Sequence, residues 1–377
     1  MSSVKKVLHI VSCLELGGTE AFIMNNYRHI NKDDMQFDFF IYTDSNCTYV
    51  DEIKKMGGQV FIGVLPSFKN TFKFYKAFKN IIKQNGPYDA IHCHTNLGNA
   101  YPLFCGFMNK IKIRVSHSHA TNYTTKSAIK RIIYGLKKIS IRIFGTNFLA
   151  CSAEAGRALY GKKYFEKRGE VINNGISAER YLRSKNQEKS ALKKEFCLSN
   201  VNYPVLGNIT RFDDNKNQQF IIDVFKCLLV QNPDAVLILG GVDGGQLDAV
   251  KTKVKELDLE NNVRFIGKRQ DIPDCLALID VYFFPSLYEG LGIVLLEAQA
   301  AGCLCFASDG VSKESDMGLG TAHYYSLDLG ADIWAEKINN ELKLKHEIPD
   351  DEILLAFRKK GYDIVDSSKK LVRIYEG

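Results

Sequence analysis

The sequence lacks the features that would place this protein in a membrane or outside the cell. No stretch approaches 18 consecutive apolar residues, so a membrane-spanning helix is not expected. The first segment, MSSVKKVLHIVSC, has a short apolar run and no small-residue cleavage site, which predicts a β-strand and not a signal peptide. The ten cysteines form no CxxC pair, which indicates a reducing, cytoplasmic compartment.

Acidic residues are missing from a long part of the first half. Between Ala90 and Ala153 there is no Asp or Glu, but there are nine Lys or Arg residues. Through residue 180 the sequence has 26 Lys+Arg against 13 Asp+Glu, a net charge of +13, and the remainder has 24 against 30, or −6. This asymmetry indicates that the first half faces an anionic surface. The first half contains no recognisable nucleic-acid-binding module, so nucleic acid is not the expected partner.

Short β-branched or aromatic runs alternate with longer helical patterns along the chain. Helices are predicted at 20–30, 67–84 and 126–143, among others, and the pattern breaks at the Asn-Gly turn of EVINNGIS (170–177) before it restarts. The alternation predicts two Rossmann-like, doubly wound α/β domains that face each other across a ligand-binding cleft. The predicted strands are 7–13, 37–43, 59–64, 89–94, 112–118, 147–152, 205–211, 234–240, 262–266, 280–285 and 303–308.

The same pattern predicts where the domains begin and end. The first domain is expected over residues 1–180 and the second over residues 181–355. A helical segment over residues 356–377 is a candidate for return to the first domain.

Two glutamates stand out in PSLYEGLGIVLLEAQAAG (285–302). Glu289 lies among glycines after a predicted strand, and Glu297 lies on an otherwise apolar helical segment. If the whole segment were helical, their carboxylates would lie about 12 Å apart, close to the distance between the ribose and the hexose of a folded nucleotide-sugar. A carboxylate accepts two hydrogen bonds and suits a sugar diol, so Glu297 is a candidate for the ribose and Glu289 for a transferred sugar. The alternative is a helix-start charge and a half-exposed glutamate.

Two further segments are candidates for binding phosphate. In GNITRFDDNKNQQFII (207–222), Arg211 and Lys216 lie where a strand ends and a helix begins, and could neutralise a diphosphate leaving group. Ordinary solvated charge is the alternative for these two residues. In SCLELGGTEAF (12–22), Gly17 and Gly18 could bring backbone N–H groups to a phosphate. This segment is not GxGxxG, so a nicotinamide-binding fingerprint is absent.

Taken in order, GGTE, RF…NKN and the two glutamates with seven residues between them resemble glycosyltransferase family 4. FLACSAEAGRALYG, VINNGIS and IGKRQDIPDCLALIDVYFFPSLYEGLG also look like this family, and the resemblance covers nearly the whole chain. RVSHSHAT and LLEAQAAGCLCFASDGVSKES are similar to bacterial capsular and exopolysaccharide glycosyltransferases. The resemblance implies a GT-B fold and retaining, metal-independent transfer of a hexose from a nucleotide-sugar, expected to be a UDP-sugar, to a polysaccharide repeat-unit acceptor carried on a lipid.

The resemblance also implies roles for individual residues. Glu297 would bind the ribose and Glu289 the donor sugar. Arg211 and Lys216 would bind the diphosphate, and Gly18, which follows Gly17, would offer it a backbone donor. The nucleotide-binding loop would comprise Gly290, Leu291 and Gly292. No cofactor or metal is expected. Another GT-B activity, such as an epimerase or a phosphorylase, and a non-catalytic nucleotide-sugar-binding component of an assembly complex are the alternatives.

Four of the eight histidines fall close together, at positions 92, 94, 117 and 119. Because residues i and i+2 of a strand share a face, two neighbouring strands could present four imidazoles. A metal site is the less favoured interpretation, since no acidic residue follows within 30 positions of His119. By the family resemblance, His117 or His119 contacts the donor sugar, and His92 is interpreted as a core histidine satisfied by backbone groups.

Two basic segments suggest contact with a membrane surface. TTKSAIKRIIYGLKKISIRIFG (124–145) places isoleucines and leucine at helical spacing between Lys and Arg residues, and residues 68–86 are similarly rich in lysine. An ordinary core-facing helix with a solvated basic face is the alternative. The hypothesis is a cytoplasmic enzyme peripheral to the inner face of the membrane, held near anionic lipid.

Overall fold

The structure, a computed structural model, describes residues 4–15, 17–43, 47–67, 69–198, 204–344 and 347–377. The chain forms two compact units: Met1–Gly175 with Ile364–Gly377, and Ile176–Asp363. The sequence placed the boundaries after residues 180 and 355. The second unit instead begins at Ile176 and extends to Asp363, because Ile176, Phe357 and Tyr362 are buried in its core.

The first unit is built on a seven-stranded sheet in the order β3-β2-β1-β4-β5-β6-β7, in which every pairing is parallel. Its strands are β1 (Lys5–Val11), β2 (Met35–Ile41), β3 (Val60–Ile62), β4 (Ala90–Cys93), β5 (Ile113–Ser118), β6 (Asn147–Ala150) and β7 (Gly169–Val171). Its helices before the unit boundary are α1 (Gly18–His29), α2 (Val50–Lys55), α3 (Thr71–Asn85), α4 (Ala100–Met108), α5 (Ala128–Phe144), α6 (Ala153–Tyr160) and α7 (Lys162–Arg168).

The second unit is built on a six-stranded parallel sheet in the order β10-β9-β8-β11-β12-β13, the Rossmann strand order. Its strands are β8 (Val205–Ile209), β9 (Val236–Gly240), β10 (Val263–Gly267), β11 (Val281–Phe284), β12 (Leu304–Ser308) and β13 (Ala322–Tyr325). Its helices are α8 (Ala178–Lys185), α9 (Ser190–Glu195), α10 (Gln218–Leu229), α11 (Leu247–Glu256), α12 (Ile272–Leu276), α13 (Ile293–Ala300), α14 (Ala331–Leu342) and α15 (Asp350–Lys360).

Helices cover both faces of each sheet, which explains why successive residues of the central strands are buried on either face. In the first unit, Phe22 of α1 packs in the core on one face, and Phe74 and Phe78 of α3 pack on the other. In the second unit, Leu295 of α13 and Trp334 of α14 belong to the cores on opposite faces. Burial of each such side chain contributes about 1.5–3 kcal/mol. Among the described residues, no helix combines the length and the apolar character needed to cross a bilayer.

The last helix, α16 (Ile364–Glu376), completes the first unit. Leu371 and Tyr375 are buried in the same core as Phe22 of α1. Ser367 Oγ donates a hydrogen bond of 3.0 Å to Asn26 Oδ1 on α1. The helix is therefore an integral part of that unit, although residues 176–363 separate it from the rest in sequence.

Candidate functional site

The candidate residues of the second unit lie where its strand order reverses. β8 and β11 are neighbours in the sheet, while the chain leaves them for opposite edges. Arg211 and Lys216 follow β8, and the segment 285–292 follows β11. Open α/β sheets bind ligands at this position, outside the carboxyl ends of the strands.

The two segments are fixed to one another by Asn215, which lies in a 3-10 turn spanning Asp214–Lys216. The Asn215 side chain donates to the Tyr288 carbonyl at 2.8 Å and accepts from the Tyr288 N–H at 3.1 Å. Asn217, in the left-handed conformation at φ 56°, begins α10 and donates from Nδ2 to the Pro285 carbonyl at 3.3 Å. These hydrogen bonds join the turn to the loop and hold Lys216 near Glu289.

Lys216 and Glu289 form an ion pair. Lys216 Nζ donates directly to Glu289 Oε2, and the ammonium lies 5.0 Å from the centroid of the Phe284 ring. The two side chains are only 18% and 24% exposed, so each partly desolvated charge is compensated by the other. The sequence assigned these residues to different parts of a ligand and did not predict that they touch. An anionic ligand would have to compete with Glu289 for this cation.

Arg211 is the more accessible cation of the site. Its Nε donates to Asp213 Oδ2 at 2.9 Å, and its side chain is 63% exposed. Asp213 also caps the 3-10 turn, since its other carboxylate oxygen accepts from the Lys216 N–H at 3.1 Å. Asp213 thus contacts the side chain of Arg211 and the backbone of Lys216, a role that the sequence analysis missed although DD follows Arg211 and Phe212 directly in the sequence.

The glycine loop has two different kinds of glycine. Gly292 has φ 63° and begins α13, and a Cβ there would lie 2.7 Å from Phe284 Cε1, so the fold requires glycine. A Cβ on Gly290 would meet nothing within 4 Å, which leaves open space beside that backbone. Leu291, between them, is half-buried.

Glu289 lies outside the helix that carries Glu297. The Glu289 backbone is held by the Gly310 carbonyl, which accepts its N–H at 3.0 Å, and by the Ser312 N–H, which donates to its carbonyl at 3.1 Å. Because α13 begins only at Ile293, the helical rise used to estimate the separation of the two carboxylates does not apply to the whole segment.

Glu297 is the one acidic residue of α13, and it is half-buried among core neighbours. Burial raises the pKa of the nearby Tyr282 hydroxyl well above its usual value, and the charge of Glu297 adds to this rise. The helix is anchored by Gln299, whose Oε1 accepts from the Met317 N–H at 2.9 Å and whose Nε2 donates to the Ser315 carbonyl at 2.6 Å. Glu297 is therefore presented on a rigid element.

In the first unit, Gly17 and Gly18 lie at the start of α1, the first helix after β1, and β1 and β4 mark the point where that strand order reverses. Gly17 precedes the helix with extended backbone, and no side chain caps it. A Cβ on Gly17 would lie 2.5 Å from Glu20 Oε2, so the Glu20 carboxyl group lies against this turn. Burial raises the pKa of Glu20 to about 7.

This pKa predicts that the free energy of unfolding depends on pH. Glu20 is expected to bind a proton more tightly in the folded state than in the unfolded state, where its pKa is near 4.5. The contribution is fully present below pH 4.5 and is lost as the pH rises through about 7, an upper limit of about 3 kcal/mol. Chemical denaturation across this pH range should show that the free energy of unfolding of the wild type falls as the pH rises. The Glu20→Gln variant should lack this fall. Glu154→Gln, at an exposed position in the first turn of α6, is the matched control, and a Glu154→Gln variant that also abolishes the fall would contradict the assignment to Glu20.

Five histidines, one more than the sequence analysis identified, lie together on β1, β4 and β5 or one residue beyond the ends of β4 and β5. His9 Nδ1 is 3.1 Å from His94 Nε2, and His94 Nδ1 is 3.0 Å from His119 Nε2. His92 Nε2 is 3.2 Å from His117 Nδ1, and its Nδ1 is 2.5 Å from the Tyr375 hydroxyl. His92 is buried, but side chains and not backbone groups are its hydrogen-bond partners, contrary to the prediction. His9 was missed because only the pairing of β1 with β4 places it beside His92.

The histidines differ in their access to solvent. His9, His92, His94 and His117 are buried, whereas His119, just beyond the end of β5, is half-buried. Of the two histidines that the sequence could not separate, His119 is thus the one that a ligand can reach. The ring nitrogens of His9, His92 and His94, and those of His94, His117 and His119, lie within 4.8 Å of one another and are the groups that could hold a metal.

Two family models match this chain. The model described as "Glycosyltransferase Family 4" matches residues 16–180, and the model described as "Glycosyl transferases group 1" matches residues 191–317. The two matches fall in the first and second units respectively, apart from five residues at the boundary.

Curated relatives match over most of the chain. EpsF of Bacillus subtilis (strain 168), whose name describes it as a glycosyltransferase, is 32% identical over 89% of this chain and 88% of its own length. The capsular polysaccharide biosynthesis glycosyltransferase CapH of Staphylococcus aureus is 25% identical over 98% of both chains. An Escherichia coli UDP-Gal:alpha-D-GlcNAc-diphosphoundecaprenol alpha-1,3-galactosyltransferase is 25% identical over 66% of this chain and 63% of its own.

Solved structures share the fold. The crystal structure of Anabaena HepE in complex with UDP and glucose aligns with a TM-score of 0.74 at 18% identity, covering 99% of this chain and 100% of that one. A glycosyltransferase from Rickettsia africae aligns with a TM-score of 0.76 at 18% identity, covering 100% and 98%. With the two parallel sheets, this likeness confirms the predicted GT-B fold of two Rossmann-like domains.

Proposed function

The chain belongs to the glycosyltransferases of family 4 and group 1, and we propose that it moves a hexose from a UDP-sugar, with retention, to a lipid-linked polysaccharide repeat unit. The full-length similarity to CapH supports a role in capsule or exopolysaccharide biosynthesis. The names of the Escherichia coli relative and of the HepE complex support a UDP-sugar donor, and the former also supports a lipid diphosphate acceptor.

The observation that carries this proposal is the pair of cations at the strand-order reversal of the second unit. Arg211 and Lys216 are held by Asp213 and by the loop after β11, at the end of the sheet where nucleotides bind in such folds. Two preorganised cations stabilise the charge that develops on a leaving diphosphate. The open backbone at Gly290 gives that diphosphate room to approach.

The two glutamates are proposed to bind the parts of the donor on either side of the diphosphate. We assign the ribose hydroxyls to Glu297 because it is a carboxylate on the rigid helix that follows the glycine loop. We assign the transferred sugar to Glu289. When the diphosphate binds Lys216, the Glu289 carboxylate loses its present partner and becomes free to accept hydrogen bonds from sugar hydroxyls.

The proposed mechanism needs no metal and no enzyme nucleophile. The acceptor hydroxyl attacks the anomeric carbon on the face from which the nucleoside diphosphate leaves, and the leaving phosphate takes its proton. Arg211 and Lys216 supply the charge stabilisation that a divalent cation would otherwise provide, and the protein orients the two substrates. Within the first unit, the family resemblance makes Gly18 a candidate backbone donor to a phosphate and His119 a candidate contact to a sugar.

A screen of nucleotide-sugars tests this function. Thermal shift identifies the donor that binds, and hydrolysis in the presence of EDTA then measures its turnover. Formation of a new glycoside on a lipid diphosphate acceptor supports the proposal. A free epimer, a sugar phosphate, or binding without any turnover would each refute it, and activity that EDTA removes and Mn²⁺ or Zn²⁺ restores would refute metal independence.

Glu297 and Glu289 should affect different steps. Glu297→Ala is expected to weaken the affinity for the free nucleoside diphosphate by about tenfold or more, because it loses charge-assisted hydrogen bonds worth about 1.5–3 kcal/mol. Glu289→Ala should leave that affinity equal or higher, since it releases Lys216, and should slow turnover. Calorimetry with the diphosphate and steady-state kinetics separate the two effects. An unchanged dissociation constant in a folded Glu297→Ala protein would reject the ribose assignment.

We further propose that α5 places the enzyme on an anionic membrane. Six of its apolar residues are exposed by 43–72% of their surface, and among the residues of α5 only Ile141 is buried. The alternative to membrane contact, an ordinary core-facing helix with a solvated basic face, therefore does not describe α5. We define the α5 face as these exposed residues: Ile129, Ile132, Ile133, Leu136, Ile139 and Ile143.

Charge beside the α5 face favours anionic lipid over a neutral apolar partner. Lys126, Lys130 and Arg131 are exposed at its start. By contrast, Lys138 donates to the Ala158 carbonyl at 2.6 Å and Lys137 lies over the Tyr101 ring, so these two hold the helix to its unit. An exposed apolar stripe flanked by fixed cations is typical of helices that lie in the membrane interface.

The second basic segment, 68–86, does not repeat this arrangement. Phe68 lies outside the described residues. In α3, Phe74 and Phe78 are buried and the lysines are exposed, as in an ordinary amphipathic helix. Phe72 is the exposed aromatic residue of that helix. The proposal therefore rests on α5.

A further inference from the structure

The five histidines form two separate hydrogen-bonded strings. One runs from Tyr375 through His92 to His117, and the other runs from His9 through His94 to His119. The second string joins a fully buried end, at His9, to the half-buried His119. Both nitrogens of the middle ring, His94, are used: Nε2 meets His9 and Nδ1 meets His119.

All three rings of the second string are neutral near pH 7. Burial lowers the pKa of His9 and of His119 to about 3, and it lowers the pKa of His94 well below its usual value. A neutral imidazole carries one N–H donor and one bare acceptor nitrogen. In a string of neutral rings, every hydrogen bond must therefore run in the same direction. The ring nitrogen that carries the proton at one end then determines which nitrogen carries it at the other end.

The environment of His9, at the buried end of the string, indicates in which direction the hydrogen bonds run. His9 Nε2 is buried and has no hydrogen-bond partner among the described residues. If the bonds ran towards His9, this nitrogen would be a buried N–H without an acceptor, and orphaned buried N–H groups are rarer than under-used acceptors. The bonds therefore run outward: His9 donates to His94, and His94 donates to His119 Nε2. The proton of His119 is then on Nδ1.

We propose that His94 is a positioning residue, which fixes His119 as the tautomer with its proton on Nδ1 and so makes it a hydrogen-bond donor to a sugar oxygen. The sugar contact rests on the proposed function, but the tautomer does not. Hydrogen-bonded histidines elsewhere in proteins are oriented by a partner on the other ring nitrogen in the same way. Here the partner is another neutral imidazole.

Magnetic resonance of the wild-type protein gives the first test, without donor or acceptor. Protein labelled with ¹⁵N at histidine, observed by long-range ¹H–¹⁵N correlation near pH 7, should show His119 as a neutral ring with its proton on Nδ1. The signal is assigned by its loss in His119→Asn. A His119 ring that is protonated, or that carries its proton on Nε2, overturns the proposal.

Variants at His94 test whether this residue fixes the tautomer of His119. His94→Leu removes the donor, so His119 should show its proton distributed over both nitrogens. His94→Asn places an amide near the Nδ1 position and should restore the single tautomer. His29→Leu, at an exposed site on α1, is the control and should leave His119 unchanged. A His94→Leu protein in which His119 keeps its proton on Nδ1 alone would show that His94 does not fix it.

The same samples separate this proposal from a metal site. Elemental analysis of the wild type should find no stoichiometric metal. One metal ion per chain, absent from His94→Leu, would overturn the proposal, because the ring nitrogens would then be ligands instead of hydrogen-bond partners. Failure to find a sugar donor for the enzyme would leave the tautomer result intact, so the two proposals fail separately.

Discussion

Replacing Lys216 by methionine is expected to slow sugar transfer by about 10²–10³-fold, the usual effect of removing one preorganised donor from a developing negative charge. The Asn215 contacts hold the turn that carries Lys216 against the loop after β11, so a mobile water molecule cannot take the place of its ammonium with the same geometry. Single-turnover kinetics with the identified donor would measure the effect on the chemical step. The affinity for the nucleoside without phosphates should not change.

Two controls show whether the lost charge is the cause. Lys226→Met removes an exposed lysine on α10 and should leave the rate near that of the wild type. Lys216→Met also leaves the Glu289 carboxylate without its partner, and Lys216→Met combined with Glu289→Gln removes that unpaired charge. If the double variant recovered the wild-type rate, the ion pair would matter only for local structure, and the diphosphate role of Lys216 would be wrong.

Reversing three charges at the start of α5 is expected to abolish binding to anionic vesicles. Each basic residue near such a surface contributes about 1 kcal/mol, so changing Lys126, Lys130 and Arg131 to Glu should lower the partition coefficient by more than about 100-fold. Co-sedimentation with vesicles that contain an anionic phospholipid measures this, and wild-type binding should decline at high salt. Ile132→Ser with Leu136→Ser should also weaken binding, because both residues belong to the α5 face.

The matched control reverses three exposed lysines elsewhere: Lys359 and Lys360 on α15, and Lys369 on α16. Its net charge equals that of the α5 variant, so a non-specific charge effect would weaken both proteins equally. Equal recovery of the wild type with neutral and anionic vesicles would refute the membrane proposal. Self-association through the α5 face would then be the expected use of this surface, seen as a dimer that Ile132→Ser with Leu136→Ser dissociates.

The alternation of apolar runs and helical patterns was sufficient to predict most of the architecture. Continuous runs such as those of β8 and β11 are typical of parallel strands that are buried on both faces. β7 and β13 were not predicted, whereas the edge strands β3 and β10 were. β7 (GEV) and β13 (AHYY) are three and four residues long and each includes a polar residue, so their sequences carry a weaker apolar signal.

The sequence proposed the residues of the candidate site one by one, but it did not predict the contacts among them. The sequence identified Lys216 and Glu289 as separate ligand contacts, whereas their ion pair depends on how two loops from neighbouring strands meet. The sequence did not predict that His9 belongs to the histidine cluster for the same reason, because its partner His94 comes from a different part of the sheet. The sequence did not predict whether the α5 face is exposed. Helical spacing shows which residues share a face, but it does not show whether that face is covered.

The return of α16 to the first unit has a consequence for protein synthesis. A ribosome makes β1 to β7 first, then all of Ile176–Asp363, and only then the helix that supplies Leu371 and Tyr375 to the first core. Domains usually fold as they emerge, the earliest first. Here the earlier domain must wait with an unfilled core, and with His92 lacking its Tyr375 partner, until the later one has been translated. The nascent chain thus exposes apolar surface for longest at its oldest part, where a chaperone would be expected to bind.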